Sequence, residues 1–285
     1  MIAVTGASGH LGRLVIDQLL QKVPASQIVA AVRTPEKAKE LAARGVSVRT
    51  ADYDQPQTLA AAFDGVQKLL LISSSEPGKR MHQHRAAIAA ARDARVKLLV
   101  YTSMLHASSS SISLAVDHLA TEKVVAESGL PFVILRNGWY LENYTEALGP
   151  AVQNGALLGA AKEGRIAAAA RADYAAAAVA VLTTSGHEGK VYELAGDKPF
   201  TMAELAAEVS RQVGKNVVYD DLPRSKYVEA LQGMGLPAPV AEMLASADEG
   251  IARGDLDDRS GDLHRLIGSA TATLAEAVGS GLGRQ

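Results

Sequence analysis

Three glycines near the start of the chain constrain its fold more than any other feature. They lie in the segment Thr5–Gly12, which reads TGASGHLG and spaces them three residues apart. The short apolar run 2–5 precedes them. Apolar residues then recur at helical spacing, at Leu11, Val15 and Leu19. The pattern predicts a strand, a tight turn and a helix, the arrangement that binds a dinucleotide pyrophosphate.

Each glycine has its own physical reason in this motif. Gly6 permits the tight turn, Gly9 lets the backbone approach the pyrophosphate, and Gly12 lets the helix lie close to the strand. The N-terminus of the helix adds unpaired N–H groups and the positive end of its dipole. We predict cofactor contacts from Gly6, Ala7, Ser8, Gly9, His10, Leu11 and Gly12. A glycine-rich turn without a ligand is the alternative.

The first half of the chain alternates short apolar runs with helix-like stretches, as βαβ units do. We predict strands at 2–5, 28–32, 46–50, 68–72, 98–102 and 132–135, and helices at 58–63, 81–94 and 114–127. Later, 191–194 reads as a strand and 202–213 as a helix, with Thr201 and Glu204 as a capping box. The predicted fold class is α/β, a Rossmann-type doubly wound parallel sheet with a smaller C-terminal α/β lobe. We place the nucleotide-binding core at 1–150 and a substrate lobe, with elements partly returning to the core, at 151–285.

Composition argues against several classes of function. The formal net charge is −2, whereas nucleic-acid binding needs a concentrated basic surface. The chain has no cysteine, and His82 and His84 lack a neighbouring carboxylate cluster, so a solvated pair is favoured over a metal site. No apolar run approaches the roughly 20 residues of a membrane span, and a strand beginning at residue 2 leaves no room for a signal peptide. We expect a cytoplasmic protein without metal, nucleic acid or stable membrane insertion. Its oligomeric state stays open.

The residue after the second strand indicates which nucleotide binds. NAD enzymes commonly have Asp or Glu there, to hold the ribose 2′-hydroxyl. This chain has Arg33, whose guanidinium can hold a 2′-phosphate through charge-assisted hydrogen bonds. We therefore predict NADPH (NADP) as the cofactor. The alternative is a surface arginine that ends a strand.

Small polar residues follow two more strands, at the edge of the sheet where this fold binds its ligand. Ser73, Ser74 and Ser75 come after the fourth strand, and we predict that they line the ribose or pyrophosphate. Asp52 follows the third strand. It either binds the adenine amino group or caps a turn.

The helix after the fifth strand lacks a residue on which short-chain dehydrogenases depend. These enzymes reduce ketones with a Tyr-x-x-x-Lys pair, in which the lysine lowers the tyrosine pKa and the tyrosine passes a proton to the carbonyl oxygen. Here Lys123 is present, but Leu119 stands four residues before it. Ketone reduction and sugar 4-epimerisation are therefore disfavoured. His118 is either a substitute acid or, as on most helix faces, a structural histidine.

Several segments together resemble the NmrA-like group of atypical short-chain dehydrogenases, over essentially the whole chain. Within that group they look like the bacterial NAD(P)H:quinone oxidoreductases of type 2, which are related to the triphenylmethane-dye reductases. The segments that carry the resemblance are 3–12, 23–28, 69–76, 135–140, 171–174 and 186–194.

The resemblance implies an oxidoreductase that reduces quinones to hydroquinones by two-electron hydride transfer from NADPH. It places the ribose and nicotinamide near 73–75 and near the segment after the sixth strand, with Arg171 close by. The implied cofactor contacts in that segment are Asn137, Gly138, Trp139, Tyr140, Leu141 and Glu142. Trp139 either stacks on a flat substrate or is an aromatic plug between the core and the lobe. An NmrA-like redox sensor that binds NADP without turnover is the alternative function.

The missing tyrosine is compatible with a quinone substrate. The product becomes aromatic, so a strong general acid matters less than for a ketone. Tyr140 and Asn143 are the candidate catalytic residues, as weak proton donors, with water as the alternative source. Positioning of the nicotinamide against the quinone then carries most of the catalysis.

Overall fold

The secondary structure alternates strands and helices through the first half of the chain. The computed structural model describes residues 1–74, 76, 78–146 and 148–283. Its strands are β1 (Ile2–Thr5), β2 (Ile28–Val32), β3 (Ser47–Thr50), β4 (Lys68–Leu71), β5 (Leu98–Met104), β6 (Phe132–Asn137), β7 (Ala156–Gly159), β8 (Val191–Leu194) and β9 (Val218–Asp221). Its α-helices are α1 (His10–Leu19), α2 (Lys39–Ala43), α3 (Pro56–Phe63), α4 (Arg80–Asp93), α5 (Ala115–Glu127), α6 (Glu142–Thr145), α7 (Leu148–Asn154), α8 (Arg171–Thr183), α9 (Met202–Val213), α10 (Arg224–Gly233), α11 (Ala238–Ala252), α12 (Asp262–Ile267) and α13 (Leu274–Gly281).

The main sheet confirms the predicted Rossmann-type fold. Its seven strands lie in the order β3-β2-β1-β4-β5-β6-β8. β1 pairs in parallel with both β2 and β4, and the β2–β3, β4–β5 and β5–β6 pairs are also parallel. The strand order reverses between β1 and β4, the switch point at which doubly wound sheets bind ligands. β7 and β9 form a separate parallel pair.

Both faces of the central strands are buried, which explains their continuous apolar runs. Successive side chains of a strand point to opposite faces of the sheet. Ala3 and Leu69 lie in a cluster with residues of α3 and α4, while their neighbours Val4 and Leu70 are equally inaccessible. Two further helices, α1 and α8, contact each other, and the Gln18 amide donates to the Ala172 carbonyl at 3.0 Å. The central strands therefore need apolar residues at every position.

By compactness the chain forms two units, each built from segments that are not contiguous. Unit 1 comprises 1–104, 117–137 and 171–192, and unit 2 comprises 105–116, 138–170 and 193–285. Unit 1 holds β1 to β6, and unit 2 holds the β7–β9 pair and the helices from α9 onward. The division into domains at residue 150 stays a prediction.

Most predicted elements are present, with bounds that shift by a few residues. β5 and β6 extend to Met104 and Asn137, two residues beyond the predicted ends, and both strands stay hydrogen-bonded there. Thr201 caps α9 in a complete capping box with Glu204, as predicted. β7 and β9 were not predicted, because each has four residues and β9 is largely exposed and acidic.

Candidate active site

The switch point between β1 and β4 is held by one threonine hydroxyl. Oγ1 of Thr5 donates to the Leu70 carbonyl at 3.2 Å and accepts from the Ile72 N–H at 3.0 Å. Thr5 is almost fully buried. These two hydrogen bonds fix the ends of β1 and β4. The glycine loop (residues 6–12) begins after β1, and the serine segment (Ser73 and Ser74) begins after β4.

The glycine loop has the geometry of a pyrophosphate cradle. Gly6 has a φ of +59°, which side-chain-bearing residues rarely adopt. The Gly9 N–H donates to the Gly6 carbonyl at 2.9 Å and closes the turn. A Cβ on Gly12 would lie 2.3 Å from the Gly6 oxygen, so no larger residue fits. Gly9 caps α1 without a side-chain hydrogen bond, which leaves the N-terminal end of the helix to a ligand.

The other residues of the loop divide between core and surface. Ala7 and Leu11 are buried, so only their backbones can face a ligand. Ser8 is half-buried, and its carbonyl accepts from Arg13 Nε at 3.0 Å. His10 is exposed at the start of α1. The loop would therefore bind an anion mainly through its backbone.

Arg33 lies directly after β2 and is exposed. Its guanidinium forms an ion pair with Glu76, beyond the end of β4. Asp52 accepts from the Asp54 N–H at 3.0 Å and from the Gln55 amide at 3.1 Å. These contacts are those of a turn cap, the second of the two roles considered for Asp52.

The serine segment rests on a buried histidine. The Ser73 N–H donates to Thr102 Oγ1 at 2.9 Å, and the Ser74 N–H donates to His84 Nε2 at 2.9 Å. Because Nε2 accepts, the ring proton lies on Nδ1, which donates to Thr121 Oγ1 at 2.9 Å. Ser75, also a predicted contact, lies outside the described residues.

The prediction of a solvated His82–His84 pair is wrong for His84. α4 places His82 on the surface but turns His84 fully inward. Burial, with the nearby Arg80 cation, lowers the pKa of His84 to about 3. The imidazole is therefore neutral at pH 7 and acts as a fixed hydrogen-bond partner.

Leu119 and Lys123, the two positions compared with the Tyr-x-x-x-Lys pair, lie on the outer face of α5. Leu119 is 42% exposed, and the Lys123 side chain is 75% exposed, 3.9 Å from Glu127. The buried residues at the same four-residue spacing are His118 and Glu122. Lys123 is thus a surface residue of α5, and a tyrosine at 119 would also lie on the outer face.

His118 is part of the buried structure of unit 1. Its Nδ1 lies 2.8 Å from the hydroxyl of Tyr101, which is completely buried in β5. Burial, followed by the Arg80 cation, lowers the pKa of His118 to about 3. A histidine with this pKa is deprotonated at neutral pH and is a poor proton donor. The structural reading of His118 is therefore favoured over the substitute acid.

A buried ion pair joins α5 to the ends of β5 and β6. Glu122 accepts from Arg136 Nε at 2.9 Å and from Nη2 at 2.7 Å, and the Ser103 hydroxyl also donates to it. Only 10% and 12% of the two charged side chains are exposed. Loss of one partner of such a pair typically destabilises a protein by about 3–5 kcal/mol. The end of β6 is therefore held rigidly.

Asn137 follows this ion pair and carries an unsatisfied acceptor. Its Oδ1 is buried, and among the described residues it has no hydrogen-bond partner. Such an atom costs about 1–3 kcal/mol unless a donor reaches it. The amide or hydroxyl donor of a bound ligand would satisfy it, which fits the predicted role of Asn137.

The predicted segment after β6 belongs to unit 2 and is anchored there through its backbone. The Gly138 N–H donates to the Leu194 carbonyl at 2.8 Å. Leu141 donates to the Ala169 carbonyl at 3.0 Å, and the Ala169 N–H returns a bond to Trp139 at 3.3 Å. Trp139, Tyr140 and Glu142 are half-buried, Leu141 is buried, and Asn143 is exposed on α6.

Arg171 is half-buried at the first position of α8, in unit 1. The described residues contain no cluster of three or more His, Asp or Glu side chains arranged to hold a metal ion. Within the same residues, no helix has the length and hydropathy needed to cross a membrane.

A model of the NmrA-like family matches residues 1–272. The chain belongs to the NmrA-like family. Quinone oxidoreductase 2 of Escherichia coli strain K12 is 54% identical over 278 residues, which cover 98% of this chain and 97% of that protein. The crystal structure of NADPH-dependent quinone oxidoreductase from E. coli, complexed with NADPH, matches with a TM-score of 0.96 at 53% identity and covers 98% of this chain and 99% of that one. Triphenylmethane reductase of Citrobacter sp., complexed with NADP(H), matches with a TM-score of 0.95 at 43% identity over 99% and 100% of the two chains.

Several residues that shape this NmrA-like site gave no motif in the sequence. His84, Glu122 and Glu76 are single polar residues, and their roles depend on partners far away in the chain. The one available signal was the four-residue spacing of His118 and Glu122 on α5. Spacing alone does not say which face of a helix is buried.

The cradle predicts a strict requirement for glycine at position 12. We expect Gly12→Ala to lower the free energy of unfolding by about 1–3 kcal/mol, because the new methyl group overlaps the Gly6 carbonyl. In Gly233→Ala, the control, the Cβ meets nothing within 4 Å at the end of α10, and stability should stay equal or rise by up to about 1 kcal/mol. Urea denaturation followed by circular dichroism measures both. Equal stability of Gly12→Ala and wild type would contradict the close approach.

The two buried histidines predict a loss of stability in acid. Their folded-state pKa values of about 3 lie below the ordinary 6.5, so the unfolded chain takes up protons first as the pH falls. The contribution of each neutral histidine to the free energy of unfolding is complete above pH 6.5. This contribution should fall by about 2 kcal/mol per histidine between pH 7 and pH 5. His84→Gln should flatten this dependence in urea titrations across that range. The exposed His82→Gln on the same helix should not; equal slopes for both variants would refute the assignment.

Proposed function

We propose that this chain is an NADPH-dependent quinone reductase that converts quinones to hydroquinones by two-electron hydride transfer. The observation that carries the proposal is the 54% identity, over almost the full length of both chains, to quinone oxidoreductase 2 of E. coli. The structures matched above, in which the relatives hold NADPH or NADP(H), support the same cofactor here. This favours the enzyme over a sensor without turnover.

The residues at the switch point fit NADPH. The glycine cradle and the uncapped start of α1 suit the pyrophosphate, and Arg33 offers a cation for the 2′-phosphate. The orphaned Oδ1 of Asn137 suits a hydroxyl or amide donor of the nicotinamide riboside. When bound, the nicotinamide supplies the hydride. Ser73 and Ser74 would lie beside the nicotinamide and its ribose, on a segment that Thr102 and His84 hold in place.

The remaining predicted contacts enter the proposal through the resemblance. We assign Gly138, Trp139, Leu141 and Glu142 to the surroundings of the nicotinamide ribose, and Arg171 and Ser75 to the same end of the cofactor. Backbone anchoring of 138–141 within unit 2 would hold such contacts in place. Trp139 and Tyr140 offer the flat aromatic surfaces on which a quinone stacks.

Proton supply is undemanding in this reaction, because the hydroquinone is aromatic. We propose Tyr140 and Asn143 as the weak donors that protonate the reduced oxygen, with water as their alternative. Among the described residues of α5, His118 is neutral and Lys123 lies on the surface, so this helix does not offer the tyrosine–lysine acid of ketone reductases. The substrate is thus expected to be a small quinone, and the cytoplasm stays the predicted location.

A steady-state assay tests the proposal directly. Purified protein with NADPH and simple benzoquinones should show quinone-dependent loss of NADPH absorbance well above the uncatalysed rate. A Gly12→Ala variant serves as the control, because its cradle cannot form as in the wild type. Tight NADPH binding by calorimetry without turnover of any quinone would support the sensor instead.

Arg33 should decide the preference for NADPH. We expect Arg33→Met to raise the Kd for NADPH about 10- to 100-fold, because a charge-assisted hydrogen bond contributes about 1.5–3 kcal/mol. The Kd for NADH should change little. Arg92→Met, which removes an exposed arginine from α4, controls for net charge. An equal loss for both dinucleotides would show that Arg33 does not contact the 2′-phosphate.

A further inference from the structure

The guanidinium of Arg33 already has an anionic partner. Its Nη1 donates to Oε1 of Glu76, with 65% of the Arg33 side chain and 33% of the Glu76 side chain exposed. Arg33 follows β2 and Glu76 comes after β4, and β1 lies between these strands in the sheet. The ion pair thus joins the two strands on either side of β1, which leads into the glycine loop.

Glu76 is held in place by contacts that do not involve Arg33. Its Oε2 lies 3.3 Å from Lys79 Nζ and accepts from Gln83 Nε2 at 3.3 Å. Gln83 is buried, and its own oxygen accepts from the Ser74 hydroxyl. The Glu76 N–H donates to the same hydroxyl at 3.3 Å. The carboxylate is therefore fixed to the serine segment and keeps a cationic partner even when Arg33 moves away.

The charge of this carboxylate is secure at neutral pH. The hydrogen bond from Arg33, followed by that from Lys79, holds the pKa of Glu76 below its usual range. The 2′-phosphate on the adenosine ribose of NADPH would place a second anion, besides Glu76, next to the Arg33 guanidinium. Cation and carboxylate cannot keep their full contact while the guanidinium turns to a phosphate, and the two anions repel each other.

We propose that Glu76 sets the coenzyme specificity of this site, by competing with the 2′-phosphate of NADPH for Arg33 and by accepting the ribose 2′-hydroxyl of NADH. The inference rests on the proposed function, since it concerns the same cofactor site. It combines two features that are usually alternatives: an arginine suited to NADP, and an acidic side chain suited to NAD. Glu76 narrows the preference for NADPH that Arg33 alone would give, and lets the enzyme accept both coenzymes.

The charge of Glu76 can be removed with little change of shape. In Glu76→Gln, we expect the Kd for NADPH to fall about two- to fivefold, the range of an exposed ion pair, while the Kd for NADH does not fall. Calorimetric titration without quinone measures both constants. Glu229→Gln is the matched control, because Glu229 also pairs with a lysine, Lys226, at 2.8 Å on α10. It should change neither constant.

Two fragments locate the effect at the adenosine end. 2′,5′-ADP carries the additional phosphate and 5′-ADP does not, so Glu76→Gln should tighten binding of the first and not of the second. An equal gain for both fragments, or for both dinucleotides, would mean only a general reduction of negative charge and would overturn the proposal. An unchanged or weaker affinity for NADPH would also overturn it, by showing that Glu76 orients Arg33 for the phosphate.

These outcomes are separable from failure of the proposed function. Suppose that Glu76→Gln shifts the affinities as expected, but that none of the quinones supports NADPH oxidation by the wild-type protein. This result would uphold the specificity role of Glu76 and overturn the reductase function. A wild-type protein that binds neither dinucleotide would overturn both.

Discussion

The hydroxyl of Thr5 holds the point on which the rest of the site depends. It bonds to the Leu70 carbonyl and the Ile72 N–H at the carboxyl ends of β1 and β4. The strand order reverses between these two strands, and their loops diverge from this point. The glycine loop and the serine segment start from this bond. Arg33 and Glu76 follow β2 and β4, the two strands on either side of β1, so the β1–β2 and β1–β4 pairings together set their separation. A buried hydroxyl with both a donor and an acceptor satisfied is rigid as well as stable.

Behind this edge, polar groups are buried in unit 1 only where each has a partner. His84 is neutral and gives one nitrogen to Ser74 and the other to Thr121. The Glu122 carboxylate accepts two hydrogen bonds from the Arg136 guanidinium and one from the Ser103 hydroxyl. Asn137 Oδ1 is the departure from this rule in the part of the site that the structure describes. On the proposed function, a donor of the nicotinamide riboside would satisfy this acceptor.

The sequence predicted what local pattern determines. Apolar runs such as 69–71 are buried on both faces, and the capping box at Thr201 needs only four neighbouring residues. The sequence did not reveal which face of α5 is buried, because the buried residues include His118, Thr121 and Glu122, which carry no apolar periodicity. Their burial depends on Tyr101 and Arg136, which approach from other strands. Long-range polar pairing of this kind leaves no trace in the spacing of residues along one helix.

The two ends of the site in unit 1 are governed by different electrostatics. Beyond β2 and β4, the side chains of Arg33 and Lys79 are exposed and that of Glu76 is one-third exposed, so the gain or loss of one charge there has little effect on the fold. At the β5–β6 end, Glu122 and Arg136 are buried, and removal of either would leave an uncompensated charge. On the proposed function, single substitutions can therefore change the coenzyme preference, whereas the frame that holds Asn137 does not tolerate them.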